Sequence, residues 1–454
     1  MKVCCIFLVV FFSAHSLSAQ RCLDFEPYTP FDETTLEDVP LLRVNLVFHI
    51  IQHSKKTPKN LTYGELGFLD SVMYYCNVFF RYLEQPTLKP TKDIPFFTDT
   101  RIRLNVKDIK FYQDSVDWKR FYYGPLINRQ WPWQIDSISI EQNAFFIKTN
   151  QAKKLKALAD SIQIIEGGFN NGMYHVLDTE WDTENKQTKV ILKESFRNDF
   201  QLGKFTYFQK YDKNCYPDLW QKYTDSDSSA IHIFLTGSDV YNGAFGCGPS
   251  PYYLNFTNMS PPGTYPTAQL LAHEIGHCLG LFHTDRPQFD DLPKTDRFCS
   301  CSCNEEGVSN NIMGYNLCRR YLSPKQVGHI HRAYNTEPAK IKCRTECLYD
   351  ASATTYVSGR KTWERGYVMP GDLVLKRGAT LAVNCLLSMP EGSTIYLEKK
   401  SKLIVNGTIM NACGGNWNGV KTLNKHGKVK QKPVKPHQHG LLVVNPSGKI
   451  ENVR

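Results

Sequence analysis

Apolar residues recur at strand period from Leu42 to Ile51 (LRVNLVFHII), which predicts a buried strand. From Leu66 to Leu83 (LGFLDSVMYYCNVFFRYL) they fall three and four apart, the spacing of a long packed helix. Arg101 to Val106 and Ala230 to Leu235 (AIHIFL) predict further strands. Between them the pattern is weak and gives only a helix around Ala152 to Ile164 and a strand at Thr188 to Leu192. A helix is expected after Thr267, and another opens at Ser323. There Ser323 is the N-cap, Pro324 takes the first helical position and Gln326 completes a capping box, with Val327, Ile330 and Ala333 inward to about Tyr334.

Past a short Cys343–Cys347 segment the pattern changes to short strands separated by Gly, Pro and Asn turns, and it repeats. LVLKRGATLAVN from Leu373 aligns with IYLEKKSKLIVN from Ile395 at an offset of 22 residues, and a poorer copy starts at Leu441 (LLVVNPSGKIEN). Such a repeat predicts a parallel β-solenoid with one turn per copy, an antiparallel sandwich being the alternative. The expected organisation is a signal peptide at 1–19, a lead-in at 20–40, an α+β domain at 41–337, a Cys-containing linker at 338–371 and the solenoid at 372–454. The two halves are expected to be separable near Glu337.

The first residues stand outside this core. Lys2, the apolar run Val3 to Phe12 and the small residues Ser13, Ala14, Ser16, Ser18 and Ala19 have the layout of a secretory signal peptide. Ten apolar residues are too few to span a bilayer, and no other stretch reaches a transmembrane length. Export makes the cysteines informative: thirteen of the fifteen follow the signal, so most are expected in disulfides with at least one left over. The net charge of +10 is uneven. Residues 340–454 hold 19 Lys and Arg against 7 Asp and Glu, a net of +12, and the remainder is close to neutral at −2. The basic surface therefore belongs to the C-terminal part, where it suits a polyanion or an acidic cell surface. No phosphate-binding loop or nucleic-acid module is present, so nucleic acid is not an expected partner.

The chemistry is carried by His273-Glu274-Ile275-Gly276-His277-Cys278-Leu279-Gly280-Leu281-Phe282-His283. On a helix, positions four apart share a face, so His273 and His277 present two imidazoles to one point. Glu274 is then beside a metal held there, where a base for an attacking water must be. Gly280 is suited to ending the helix, which lets the chain turn and return His283 as third ligand. Three protein ligands leave a fourth position open, the mark of a catalytic rather than a structural zinc site. Cys299, Cys301, Cys303 and Cys318 could hold a structural zinc, but CxC spacing in an exported chain favours disulfides.

HEIGHCLGLFH resembles the extended motif HExxHxxGxxH of the metzincin metallopeptidases. Asn310 to Asn316 (NNIMGYN) is similar to their Met-turn, and the wider context NNIMGYNLCRRYLSPKQVGHIHRA resembles the pappalysin and cytophagalysin branch. The likeness covers roughly residues 40 to 336 and is strongest from Ala230 onward. It implies an α+β metzincin (zincin) domain, one catalytic Zn2+ held by His273, His277 and His283, and Met313 beneath the site. It also implies that Tyr315 ligates the metal or stabilises the oxyanion, and that Asn242 to Gly246 forms a rim strand able to pair with an extended peptide. Asp290, Asp291, Leu292 and Pro293 depart from the branch's pattern, so no calcium site is assigned. The expected function is a secreted zinc endopeptidase acting on protein or peptide, with Glu274 activating the water. The alternative is a cell-surface binding or adhesion protein with a vestigial metallopeptidase domain.

Overall fold

In the computed structural model, strand β1 (Leu42–Gln52) is buried along almost its whole length, because both faces of its sheet are covered. The structure describes residues 22–454 apart from 32–33, 37, 55–56, 58, 86–95, 126–132, 159–160, 213–214, 239–243, 260–262, 285–287, 293–309, 315–318, 424–428 and 430–439. The signal-peptide expectation and the cluster Cys299, Cys301, Cys303 and Cys318 thus lie outside the described residues. The chain is α+β and divides into two compact units.

The larger unit is residues 1–113, 215–235 and 244–454. Helix α1 (Leu66–Arg81), strand β2 (Ile102–Gln113), helix α2 (Asp218–Thr224) and strands β3 (Ile231–Thr236), β4 (Phe245–Cys247) and β5 (Tyr253–Thr257) come first. Helices α3 (Thr264–Cys278) and α4 (Pro324–Thr336) follow. The sheet order is β4-β5-β3-β1-β2, so β4 is an edge strand. β1 runs parallel to β2 and β3, with a bulge between Leu46 and Val47, whereas β4 is antiparallel to β5. One sheet face packs Leu46, Phe48, Ile50, Ile233 and Leu254 against Phe79 and Phe80 of α1, Leu271 and Ile275 of α3, and Val327 and Ile330 of α4. The capping box read at Ser323 is present, with both the side-chain and the reciprocal hydrogen bond.

The opposite face carries a buried polar chain. His49 Nδ1 is 3.1 Å from Tyr112 Oη, His49 Nε2 is 2.9 Å from His232 Nδ1, and His232 Nε2 is 3.4 Å from Asp227 Oδ2. Burial pushes the Asp227 carboxyl up, but the amide and hydroxyl of Ser229 outweigh it and hold the carboxyl below its ordinary value. Asp227 faces His232 as an ion-pair partner, and between His49 Nε2 and His232 Nδ1 one nitrogen carries the hydrogen and the other accepts. A second hydrogen between His49 Nε2 and His232 Nδ1 would set two donors face to face across β1 and β3.

Residues 114–214, with 236–243, form the second unit. It is an antiparallel eight-stranded sheet around Ile135, Phe145, Ile162, Ile164, Val190 and Phe205, with helix Ala152–Leu158. The expected domain at 41–337 therefore contains an inserted unit. The helix expected to reach Ile164 ends at Leu158, and Ser161–Ile165 is a strand. SIQII alternates, which buries Ile162 and Ile164 together while Gln163 is exposed.

After α4, three stacked parallel sheets of four strands each make a solenoid-like arrangement. Leu373 pairs with Ile395 and Leu381 with Leu403, the register of the 22-residue repeat. The last turn sets Leu442 beside Leu403 after a longer connection. A first turn, Thr355–Val357, Arg360–Trp363 and Tyr367–Val368, lies within the segment expected to be a linker. At one corner an amide ladder climbs the stack: Asn445 Nδ2 donates to Asn406 Oδ1, Asn406 Nδ2 to Asn384 Oδ1, and Asn384 Nδ2 to Glu364 Oε2. Disulfides join Cys22–Cys385, Cys215–Cys247 and Cys347–Cys413, and Cys76, Cys278 and Cys343 are buried thiols. Among the described residues no helix is long and apolar enough to cross a membrane.

The histidine chain makes stability pH-dependent. Burial, then neighbouring positive charge, pushes His49 down to about 3; burial likewise takes His232 to about 4. Both folded values lie below the ordinary value of about 6.5, so on acidification the unfolded chain takes up protons first. The contribution is complete above about pH 6.5 and drains as pH falls toward 4 and then 3, at ~1.4 kcal/mol per pH unit for each ring. Urea unfolding at pH 7 and pH 5 should show this fall, and His49→Gln with His232→Gln should flatten it. An unchanged slope in that variant would remove the chain as its source.

Candidate metal centre

The site begins with how α3 ends. Gly280 adopts φ +99°, Gly280 N–H donates to His277 O at 2.9 Å, and Leu281 N–H donates to Gly276 O at 3.0 Å. This paired closure is the glycine-dependent Schellman turn, and it reverses the chain just beyond His277. Lys340 adds a cation at the same end, its Nζ 3.4 Å from Leu279 O, although burial holds its pKa below the ordinary value.

The turn brings the three predicted histidines together. His283 Nε2 is 3.1 Å from His273 Nε2 and 2.9 Å from His277 Nε2. His273 Nδ1 lies 2.8 Å from Ile312 O, and His277 Nδ1 lies 2.8 Å from Leu281 O. A carbonyl oxygen can only accept, so each Nδ1 bears the hydrogen and each Nε2 is left with a bare lone pair. Burial pushes His273 down to about 3 and lowers His277 as well, which keeps both rings neutral. Two lone pairs thus meet a third ring nitrogen that has at most one hydrogen to offer, and one pairing is repulsive unless a cation lies between.

That donor set fits zinc. Neutral imidazole nitrogens are among its preferred ligands, and tetrahedral coordination at ~2.0–2.1 Å puts neighbouring nitrogens ~3.4 Å apart. The observed separations need open by only a few tenths of an ångström. Backbone carbonyls behind two of the rings are the partners that orient a metal-binding histidine and raise its basicity. Among the described residues this is the one group of three or more His, Cys, Asp or Glu side chains that could hold a metal ion.

Glu274 is buried beside the triad, and burial pushes its carboxyl up to about 7, against the pull of the Gly248 amide. A dication at the histidines would draw it back down. Edge strand β4 lies directly over this carboxylate. Gly248 N–H donates to Glu274 Oε2 at 2.8 Å, and a Cβ on Gly246 would fall 2.4 Å from Glu274 Cγ. Beneath the helix, Met313 is fully buried, and a Cβ on Gly276 would fall 2.3 Å from its Sδ. Glycine at both positions is therefore what permits the approach.

The turn carrying Ile312 O and Met313 is held in its own right. Asn311 Oδ1 accepts from Met313 N–H at 2.9 Å, while Asn311 Nδ2 donates to Gln326 Oε1 at 2.7 Å. Gln326 is the capping-box residue of α4, so one side chain closes that helix and braces the turn behind His273. Asp291, where the calcium question arose, accepts from Ser323 Oγ and Lys325 N–H, both at 2.9 Å, and so serves the same helix start.

The structure brings together His273, Glu274, His277, His283 and Met313. Tyr315 lies outside the described residues, as do Asn242 and Gly243 of the expected rim; Phe245–Cys247 forms the rim strand. Gly248 and Asn311 were not anticipated, since each acts through a contact remote in sequence. Comparison of the chain with family models, curated proteins and solved structures gives no match.

Zinc added to metal-stripped protein should bind once per chain and raise the melting temperature. At free zinc a thousandfold above Kd the gain is about 4 kcal/mol. His277→Ala and His283→Ala should abolish both effects, read by metal analysis after desalting and by calorimetry. Full zinc content in either variant would remove that histidine from the ligand set.

Proposed function

We propose that this chain is an exported zinc-dependent endopeptidase, with a metzincin catalytic domain of the pappalysin or cytophagalysin type and a C-terminal parallel β-solenoid. The observation that carries the reading is the set of three imidazole nitrogens, two with bare lone pairs, converging beside a buried carboxylate under an edge strand. Zinc bound there would polarise the scissile carbonyl and make water acidic enough to lose a proton near neutral pH.

The remaining work falls to the chain itself. Glu274 takes the proton from the attacking water and passes it to the leaving amine. The Gly248 amide holds one carboxylate oxygen and so leaves the other to move that proton. An extended peptide adds alongside edge strand β4, which sets its backbone across the histidines. Tyr315, by its place two residues after Met313, is assigned to the developing oxyanion. The basic region, residues 340–454, is assigned to contact with acidic surfaces. The alternative, an adhesion protein with a vestigial peptidase domain, fits less well, because such a domain has no need of a buried carboxylate held at its metal site.

Glu274→Ala should keep one zinc per chain and lose peptidase activity by roughly 10²–10⁴ in rate. Tyr315→Phe should lower kcat with little change in KM. The measurement is turnover of a peptide library by purified mature protein, with metal content matched. Wild-type turnover in the Glu274 variant would sink the assignment, and unchanged kcat in the Tyr315 variant would remove that residue from the chemistry.

A further inference from the structure

The rim strand that touches Glu274 is weakly held by its own hydrogen bonds. β4 has three residues and is the edge of its sheet among the described residues, with Phe245 paired to Thr257, Gly246 to Phe256 and Cys247 to Asn255. So short an edge strand opens readily unless something else fastens it. Yet Gly246 of this strand and Gly248 just beyond it pass close to Glu274 and to α3. A Cβ on Gly246 would meet Glu274 Cγ, and one on Gly248 would fall 2.6 Å from Glu274 O and 3.1 Å from His277 Cβ.

Between these glycines stands Cys247, joined to Cys215 with the two Cα atoms 5.4 Å apart. The Cys215 end is anchored independently of β4. Tyr216 O accepts from Asn255 Nδ2 of β5 at 3.3 Å, and α2, which follows at once, buries Leu219 completely. Trp220 of α2 stacks on Tyr252 and Tyr253, with ring centroids 5.9 and 5.6 Å apart. The disulfide therefore ties the strand over the base to a segment set in the packing of the sheet.

We propose that the Cys215–Cys247 disulfide is a positioning element for the general base. It holds the Gly248 amide on Glu274 Oε2, and its loss frees that carboxylate to turn without releasing the metal. Cys215 and Cys247 touch neither substrate nor metal, and they act through Gly248. This rests on the peptidase reading for its effect on turnover, but not for its effect on the rim. The bond also fits the expected oxidising destination of the chain, where it needs no reductant or enzyme to persist.

The test compares wild-type protein with Cys215→Ser/Cys247→Ser and with Cys347→Ser/Cys413→Ser, which removes a disulfide remote in sequence from β4 and the histidines. Zinc content, kcat and KM on a short peptide, and hydrogen exchange at the Gly248 amide are read together. The rim variant should keep one zinc per chain, exchange Gly248 faster, and lose roughly ten- to a hundredfold in kcat. The remote variant should match wild type at Gly248 and in kcat. If the serine pair fails to fold, Cys215→Val/Cys247→Ala fills the same space with apolar groups and is read in the same way. Unchanged Gly248 exchange in a zinc-loaded rim variant overturns the proposal, and so does faster exchange with unchanged kcat. If wild type cleaves no peptide while the rim variant still exchanges Gly248 faster, the peptidase reading has failed and the fastening of the rim stands.

Discussion

Two backbone carbonyls govern this site. Ile312 O and Leu281 O each take the Nδ1 hydrogen of a histidine, which leaves the facing nitrogens bare and aimed at His283. Neither carbonyl is placed by the histidines themselves. Leu281 O is delivered by the glycine turn that ends α3, and Ile312 O by a turn that Asn311 braces against the cap of α4. Ordinary helix-terminus chemistry, a Schellman closure at one helix and a capping box at another, thus decides the tautomers. The arrangement is unfavourable alone, because lone pairs converge, and it becomes favourable when a cation divides them.

The contacts within one helix turn of each other were legible in the sequence, and those that join distant segments were not. A four-residue spacing places His273 and His277 on one face without any knowledge of the fold, and Gly280 announces the reversal that returns His283. Ser323, Pro324 and Gln326 announce their helix as plainly. The role of Gly248 depends on a bond to a residue 26 positions later, and that of Asn311 on a side chain 15 positions later. Gly246 was read only as part of an expected rim, and Gly248 was not read at all. Only the presence of Glu274 beneath them shows why a side chain cannot be borne there.

The same division explains what was and was not read elsewhere. The 22-residue offset was visible because Leu373, Leu381 and Asn384 recur as Ile395, Leu403 and Asn406, and the parallel register stacks those residues directly. The first turn escaped because Thr355, Arg360 and Trp363 stand where later turns have Leu373, Thr380 and Val383. Its Glu364 gives the amide ladder a carboxylate to end on in place of another asparagine. In the inserted unit strand length varies from Trp133–Gln134 to Gly172–Asp182, and the longest alternates buried and open positions only irregularly. A helix-like beginning at Ala152 carried the expectation through a strand whose alternation, Ser-Ile-Gln-Ile-Ile, was the better guide.

The lead-in revises the picture of two separable halves. Its segment from Cys22 to Thr29 lies between helix α4 and the first solenoid-like turn, all within the larger unit. Thr29 Oγ1 donates to Pro324 O at 3.3 Å, and Gly328 of α4 leaves room for Phe25 and Thr29. On the other side the Tyr28 hydroxyl accepts from Gly366 N–H at 2.8 Å, Arg365 donates to Pro27 O at 2.9 Å, and Cys22 is bonded to Cys385. Cutting the chain near Glu337 would leave the halves joined through that disulfide and would divide residues 41–337 from Lys340, whose Nζ lies against Leu279 O at the end of α3. It would also strip from β1 the Cys343 carbonyl that accepts from Asn45 N–H at 2.8 Å. The boundary that respects these bonds falls beyond Cys347, and the lead-in belongs as much to the C-terminal part as to the domain it precedes.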